Sequence, residues 1–209
     1  MSVKPLRQRQ AEATRDLIVS VARELFTAKG YAGTSIDEIA RQAGVAKGAL
    51  YHHFSGKDAL FRAVYEVVQA EAVTAVLAAA GAETEPWAMV RAGLSAFLDA
   101  CLDPAFRRIV VLESVVVLQH DVFEGGVEPV ELPMLRSVLA PLVDGHVLAG
   151  VAADPLAHVT LGGLYGAALY IARASDPAAA RREVDVVLDT LVRGLGGTDA
   201  PKSKPRQRS

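Results

Sequence analysis

The sequence predicts an all-α protein of about nine helices. Three observations carry that reading. Apolar residues recur at helical spacing along most of the chain, and no stretch alternates like a strand or carries a hairpin signal. Acidic or hydroxyl residues followed by proline or glutamate mark helix starts at Ser35/Glu38, Glu85-Pro86, Asp103-Pro104, Asp154-Pro155 and Asp176-Pro177. Hydrophobic residues make up 51% of 209, enough for a sizeable core and too many for wholesale disorder.

The elements follow in order. A first helix is expected from about residue 6 or 11 to residue 29, with Ile18, Val21, Ala22, Leu25 and Phe26 on one face and Gly30 turning the chain at its end. Ser35 and Glu38 form a capping box for a short second helix that faces inward with Ile36, Ile39, Ala40 and Ala43. Gly44 breaks it, and a third short helix covers about residues 46–54. Ser55 with Asp58 reads as the cap of a long fourth helix reaching about residue 80 before Gly81. Glu85-Pro86 opens a fifth helix that ends near Cys101, and Asp103-Pro104 opens a sixth. Residues 121–131 (DVFEGGVEPVE) read as a loop, followed by a helix over about 132–148. Asp154-Pro155 and Asp176-Pro177 cap the last two helices, the final one ending near Leu195.

Charge is unevenly spread. The net charge is +3 over residues 1–60, −9 over 61–200 and +4 over 201–209. A basic head on an acidic body points to an anionic partner for the head. Ordinary scatter of surface charge is the plain alternative. The basic tail 201–209 is expected to be a disordered, solvated end. Cys101 is the only cysteine, so no disulfide staples the chain, and the N-terminus carries no apolar signal-peptide core. Residues 155–172 contain no Asp, Glu, Lys or Arg and approach the roughly 18-residue length of a membrane span. His158, Thr160 and three glycines favour a buried helix instead. The expectation is a cytoplasmic protein without a membrane partner.

The second and third helices with Gly44 between them make a helix-turn-helix: Ala40 is small at the crossing, and Val45 plugs the joint. At about 100° per residue, with Leu50 pointing inward, the third helix turns Lys47, Gly48, Tyr51 and His52 outward. A lysine charge, two directional donors and a glycine that admits close backbone approach suit a phosphate surface. His52 and His53 are poor metal ligands, because neighbours on a helix diverge and no second ligand pair lies near, so no metal or other cofactor is expected. His53 lies nearer the buried edge.

The stretch GYAGTSIDEIARQAGVAKGALYHHFSGKDALFRAV resembles the DNA-binding domain of the tetracycline-repressor (TetR) family of bacterial transcription regulators. The resemblance covers about residues 11–65, through Phe26, Gly30-Tyr31, Thr34, Ile39-Ala40, Ala43-Gly44-Val45, Leu50-Tyr51, Phe54 and Lys57. It implies double-stranded DNA as partner, with Lys47, Gly48, Tyr51 and His52 at the major groove. It further implies phosphate contacts from Thr34 and Ser35 and a backbone contact from Lys57. Ala46 departs from the pattern, where many relatives carry a capping serine or threonine.

The implied organisation is a DNA-binding domain over 1–60 and a ligand-binding and dimerisation domain over 61–200. In the second, Trp87, Phe97, Phe106 and Tyr165 are the expected contacts of a small, mostly apolar effector. Glu113 interrupts the run IVVLESVVVLQ, so it lies either on an exposed edge or in a cavity as the leading polar contact. Cys101, His120 and His146 are weaker candidates. Gly162, Gly166 and Ala167, with Val184, Val187, Leu188, Leu191, Val192 and Leu195, suggest two terminal helices pairing across a homodimer, or burial within one chain. No catalytic motif is present, so the expectation is a ligand-responsive repressor on a palindromic operator and not an enzyme. A helical enzyme, or an interaction module without sequence-specific DNA binding, stays open as the alternative.

Overall fold

The computed structural model describes residues 6–118, 131–144, 148 and 150–194. Among the described residues the chain forms nine helices and no strand, as expected: α1 (Leu6–Lys29), α2 (Ile36–Gln42), α3 (Lys47–His53), α4 (Lys57–Gly81), α5 (Pro86–Ala100), α6, α7 (Glu131–Asp144), α8 (Ala153–Arg173) and α9 (Pro177–Gly194). Helix α6 has two parts: Phe106–Glu113 is wound as a π-helix and Ser114–Val117 as an α-helix. The tail 201–209, His120, His146 and Leu195 lie outside the described residues, as does the expected loop apart from Glu131, which opens α7.

Local chemistry sets most helix starts. Side-chain oxygens of Ser35, Glu85, Asp103 and Asp176 accept the backbone N–H three residues on, at 3.1, 3.1, 2.8 and 3.0 Å. Each satisfies a donor that the helix itself leaves unpaired. Two expected caps fail. Helix α4 starts after Gly56 without a side-chain cap, and Asp58 accepts the hydroxyl of Tyr31 instead. Helix α8 starts one residue before Asp154, whose carboxylate meets Arg136 at 2.5 Å. In both, a cation or hydroxyl from another element out-competes the local N–H.

One apolar cluster runs from Ile18 in α1 to Ala180 in α9. Ile18, Ala22, Phe26, Ile39, Leu50, Leu60 and Phe61 are fully buried in it. Helix α4 is the central rod, packed on α1, α5 and α6, and the expected domain boundary at residue 60 falls inside it. Phe26, Tyr31 and Phe61 join α1 to α4 as a ring cluster with centroids 5.2–6.1 Å apart. Helices α4 and α8 are long and apolar enough to cross a membrane by length and composition. Each also feeds this core, α4 with Leu60, Phe61 and Val64, α8 with Leu161, Leu164 and Ile171. Buried Arg181 ties α9 to α5 through Asp99 at 3.0 Å and Ser95 at 2.8 Å.

Candidate nucleic-acid interface

Helices α2 and α3 form the helix-turn-helix that the sequence predicts. Gly44 takes φ +66°, and the N–H of Val45 donates to the carbonyl of Ala40 at 3.0 Å, closing the turn. Leu50 is fully buried while Lys47, Gly48, Tyr51 and His52 are exposed, and no side chain caps α3 at Ala46. His53 is half-buried between His52 and Phe54. Among the described residues no group of histidines, cysteines or acids is arranged to hold a metal.

The face is not a bare cationic surface. Lys47 Nζ meets Asp37 at 2.7 Å, and that bond raises the lysine pKa. Lys29 is paired with Glu38. Arg15 of α1 lies over the ring of Phe54, 5.3 Å from its centroid. Ser35 is exposed, with its hydroxyl oxygen used as the α2 cap.

Two expected phosphate contacts have other partners. Thr34 is 2% exposed, and its hydroxyl lies 2.8 Å from the carbonyl of Gly30 and 3.3 Å from that of Leu25. Lys57 is turned inward. Its ammonium donates to the carbonyls of Tyr31 and Thr34 at 2.9 and 3.1 Å and sits 4.0 Å from the centre of the Tyr31 ring. Both side chains therefore hold the loop 30–34 that joins α1 to α2. Burial, with a further contribution from the bond to Asp58, pushes the Tyr31 phenol up to about 12.

The same loop is held from the body. Glu113 Oε2 accepts the backbone N–H of Tyr31 at 2.8 Å, and its Oε1 accepts Arg108 Nε at 3.2 Å. Arg108 Nη1 reaches the carbonyls of Thr27 and Ala28, at 3.5 and 3.3 Å, at the end of α1. Gly30, at φ +77°, passes so close that a Cβ there would lie 2.7 Å from Arg108 Nη2 and closer still to Glu113. Glu113 is thus neither of the things expected of it, an exposed edge or a cavity wall. Its carboxylate belongs to the joint between body and head.

Glu113 apart, the expected effector contacts Trp87, Phe97 and Phe106 belong to the apolar cluster of the body. Phe106 is 3% exposed and packs edge-on against Phe97 at 6.0 Å. Among the described residues the buried indole N–H of Trp87 has no acceptor. Tyr165 is raised in pKa by burial and then by Glu131, which also accepts Gln69 Nε2 at 2.6 Å. Tyr65 is raised by burial and by the same carboxylate. Residues Arg108, Tyr65, Gln69 and Glu131 were not anticipated. They touch partners remote in sequence, and spacing within one helix cannot reveal that.

Helices α8 and α9 leave an apolar face uncovered. Val159, Tyr170, Val186, Val187 and Leu191 are 55–75% exposed, and open space lies in front of Gly162, Gly163 and Gly166. Val184, Leu188 and Val192 turn inward, so the last helix divides its expected apolar face between the core and solvent. A 640 Å³ open groove between the two helices, lined by Gly166, Tyr170, Arg173 and Glu183 among others, is part of this face.

Comparison with known proteins fits this geometry. Residues 18–64 match the model of the bacterial regulatory proteins of the tetR family, and residues 87–195 match the tetracyclin repressor-like C-terminal domain. The HTH-type transcriptional regulator SrpR of Pseudomonas putida is 47% identical over 55 residues, 26% of either chain. The Tn10 TetC protein of Escherichia coli is 36% identical over 103 residues, 49% of this chain and 52% of that one. The matched stretches thus span from about a quarter to about half of these curated relatives. A solved TetR-family transcriptional regulator from Pectobacterium atrosepticum is 31% identical, covers 93% of this chain and 98% of its own, and superimposes with a TM-score of 0.76. The fatty acid degradation regulator FadR of Bacillus halodurans shares the fold, with a TM-score of 0.66 over 90% of this chain and 96% of its own, at 17% identity.

Proposed function

The chain belongs to the TetR family of bacterial regulatory proteins, and from that premise we propose that it is a cytoplasmic, ligand-responsive repressor that grips a palindromic DNA operator as a homodimer. The observation that carries this reading is the exposed set Lys47, Gly48, Tyr51 and His52 on one face of α3, backed by a fully buried Leu50. A short helix of that profile fits the major groove, where lysine meets phosphate and tyrosine and histidine reach phosphate or base edges. Ser35 adds a contact at the start of α2. Residues 1–60 act as the head and 61–200 as the body.

The dimer reading is supported by the bare face of α8 and α9. Two copies of that face make a four-helix contact, and a two-fold protein calls for two half-sites. The effector reading is supported by the unpaired indole N–H of Trp87, with Phe97, Phe106 and Tyr165 as the other contacts in the body. That donor would meet an acceptor on an otherwise apolar molecule.

Selection of bound DNA from a random pool tests the whole reading: an enriched palindrome is expected, and a pool without enrichment rejects it. On the selected site, Lys47→Ala should lower the salt slope by about one unit, the signature of one lost phosphate contact. Lys57→Ala should leave that slope unchanged and lower thermal stability instead, because its ammonium serves the loop 30–34.

A further inference from the structure

We infer that Arg108 and Glu113 are positioning residues for the DNA-binding head, and that they can act together only because α6 is wound as a π-helix. The inference rests on the regulator reading above. The two residues are five apart in sequence. In an α-helix, 3.6 residues per turn would set side chains five apart about 140° away from each other. In the i→i+5 ladder of a π-helix, residues five apart stack on one face. The winding of Phe106–Glu113 is of that kind, and its ladder ends with the N–H of Ser114 donating to the carbonyl of Ile109, five residues back. Arg108 and Glu113 therefore point the same way and bond to each other at 3.2 Å.

What they hold is specific. The guanidinium faces the last carbonyls of α1, where the helix dipole presents negative charge. The carboxylate takes the first N–H after Gly30. One end of α1 and the first bond of the loop leading to α2 are thus fixed by a single segment of the body. That segment is anchored inside the body by Phe106 and Ile109, both buried, with Phe106 against Phe97 of α5. Any change in the body that relaxed these eight residues to α winding would swing Glu113 away from Arg108, and one of the two holds would be lost. π-Helical turns inside otherwise α-helical proteins recur at functional sites, and this one sits at the joint between effector domain and head.

The test uses the full chain, with amide exchange at Tyr31 and operator binding as separate readouts. Glu113→Ala and Arg108→Ala should each speed exchange of the Tyr31 amide about tenfold or more. Each should weaken operator binding about 5–30-fold with the salt slope unchanged, since no phosphate contact is lost. The exchanged pair Arg108→Glu with Glu113→Arg keeps opposite charges five apart. It should nonetheless do worse than either alanine variant, because a carboxylate then faces the α1 carbonyls and arginine cannot accept the Tyr31 N–H. Three outcomes overturn the inference: unchanged Tyr31 exchange in both alanine variants, wild-type behaviour in the exchanged pair, or a salt slope lowered by about one in Arg108→Ala. The last would make Arg108 a direct DNA contact. If the wild-type protein selects no DNA at all, the regulator reading fails, while the exchange measurement still decides whether the clasp exists.

Discussion

Gly30→Ala and Gly44→Ala form a matched pair, because both glycines have left-handed backbones, at φ +77° and +66°, and only one of them faces neighbours. An alanine in that conformation costs about 1–2 kcal/mol from the backbone alone. At Gly44 nothing lies within 4 Å of a new Cβ, so the cost should stop there. At Gly30 the Cβ would collide with Glu113 and lie 2.7 Å from Arg108, so the clasp must open. Opening it leaves the Tyr31 N–H without its carboxylate, at about 1–3 kcal/mol for a part-buried donor. The expected losses are therefore about 2–5 kcal/mol for Gly30→Ala and about 1–2 kcal/mol for Gly44→Ala. Urea unfolding followed by circular dichroism measures both. The cycle with Glu113→Ala adds a sharper check: removing the carboxylate removes the closest of the collisions and the bond that Gly30→Ala would break, so the double variant should cost less than the sum of the singles. Equal losses at the two glycines, or strict additivity with Glu113→Ala, would show that the joint contributes nothing.

Two further outcomes follow from the body. Leu191→Asp, on the bare face of α9 and 60% exposed, should yield a folded monomer by light scattering and weaken operator binding steeply; a dimer that survives it places the interface elsewhere. Burial raises the Cys101 thiol to about 11 from an ordinary 9.0, so the unfolded chain ionises first as pH rises. The stabilisation is complete below pH 9 and fades between 9 and 11, a loss on the order of 1 kcal/mol at pH 10 that Cys101→Ala should not share. Parallel urea curves for the two proteins at pH 7.5 and pH 10 check it, and an unchanged difference between them refutes it.

The helix-turn-helix was legible because its determinants are local. Ser35, Gly44 and Leu50 act within a few residues of themselves, and the caps at Glu85, Asp103 and Asp176 do the same. The exposed face of α3 follows from helical periodicity once Leu50 is placed inward. Legibility ends where a side chain has two suitors. Asp58 and Asp154 sit where a cap is expected, yet Tyr31 and Arg136 bind them from other elements. Thr34 and Lys57 are DNA contacts only by position in the resemblance to the family, yet backbone carbonyls of the loop 30–34 take both. Glu113 fell outside both readings for a related reason. Its partner lies 82 residues upstream, and the π winding that aims it leaves no mark on a 3.6-residue period.

The two attachments of the head differ in kind, and that difference bears on where a switch can sit. The hold by α4 runs through Phe26, Phe61 and Leu60, all fully buried, and parting those rings would expose core to water. Burying a side chain of that size is worth about 1.5–3 kcal/mol each, so separating α4 from α1 amounts to unfolding the head. Helix α4 therefore carries the head as a rigid lever. The hold by α6 is made of hydrogen bonds between half-exposed groups, each worth about 0.5–1.5 kcal/mol net, or up to about 3 where charged. An effector coupled to DNA by about 1–3 kcal/mol can break and remake contacts of that strength while leaving the core intact. For a regulator of the kind proposed, this assigns to α4 how far a head would move and to the α6 clasp when it would be free to move.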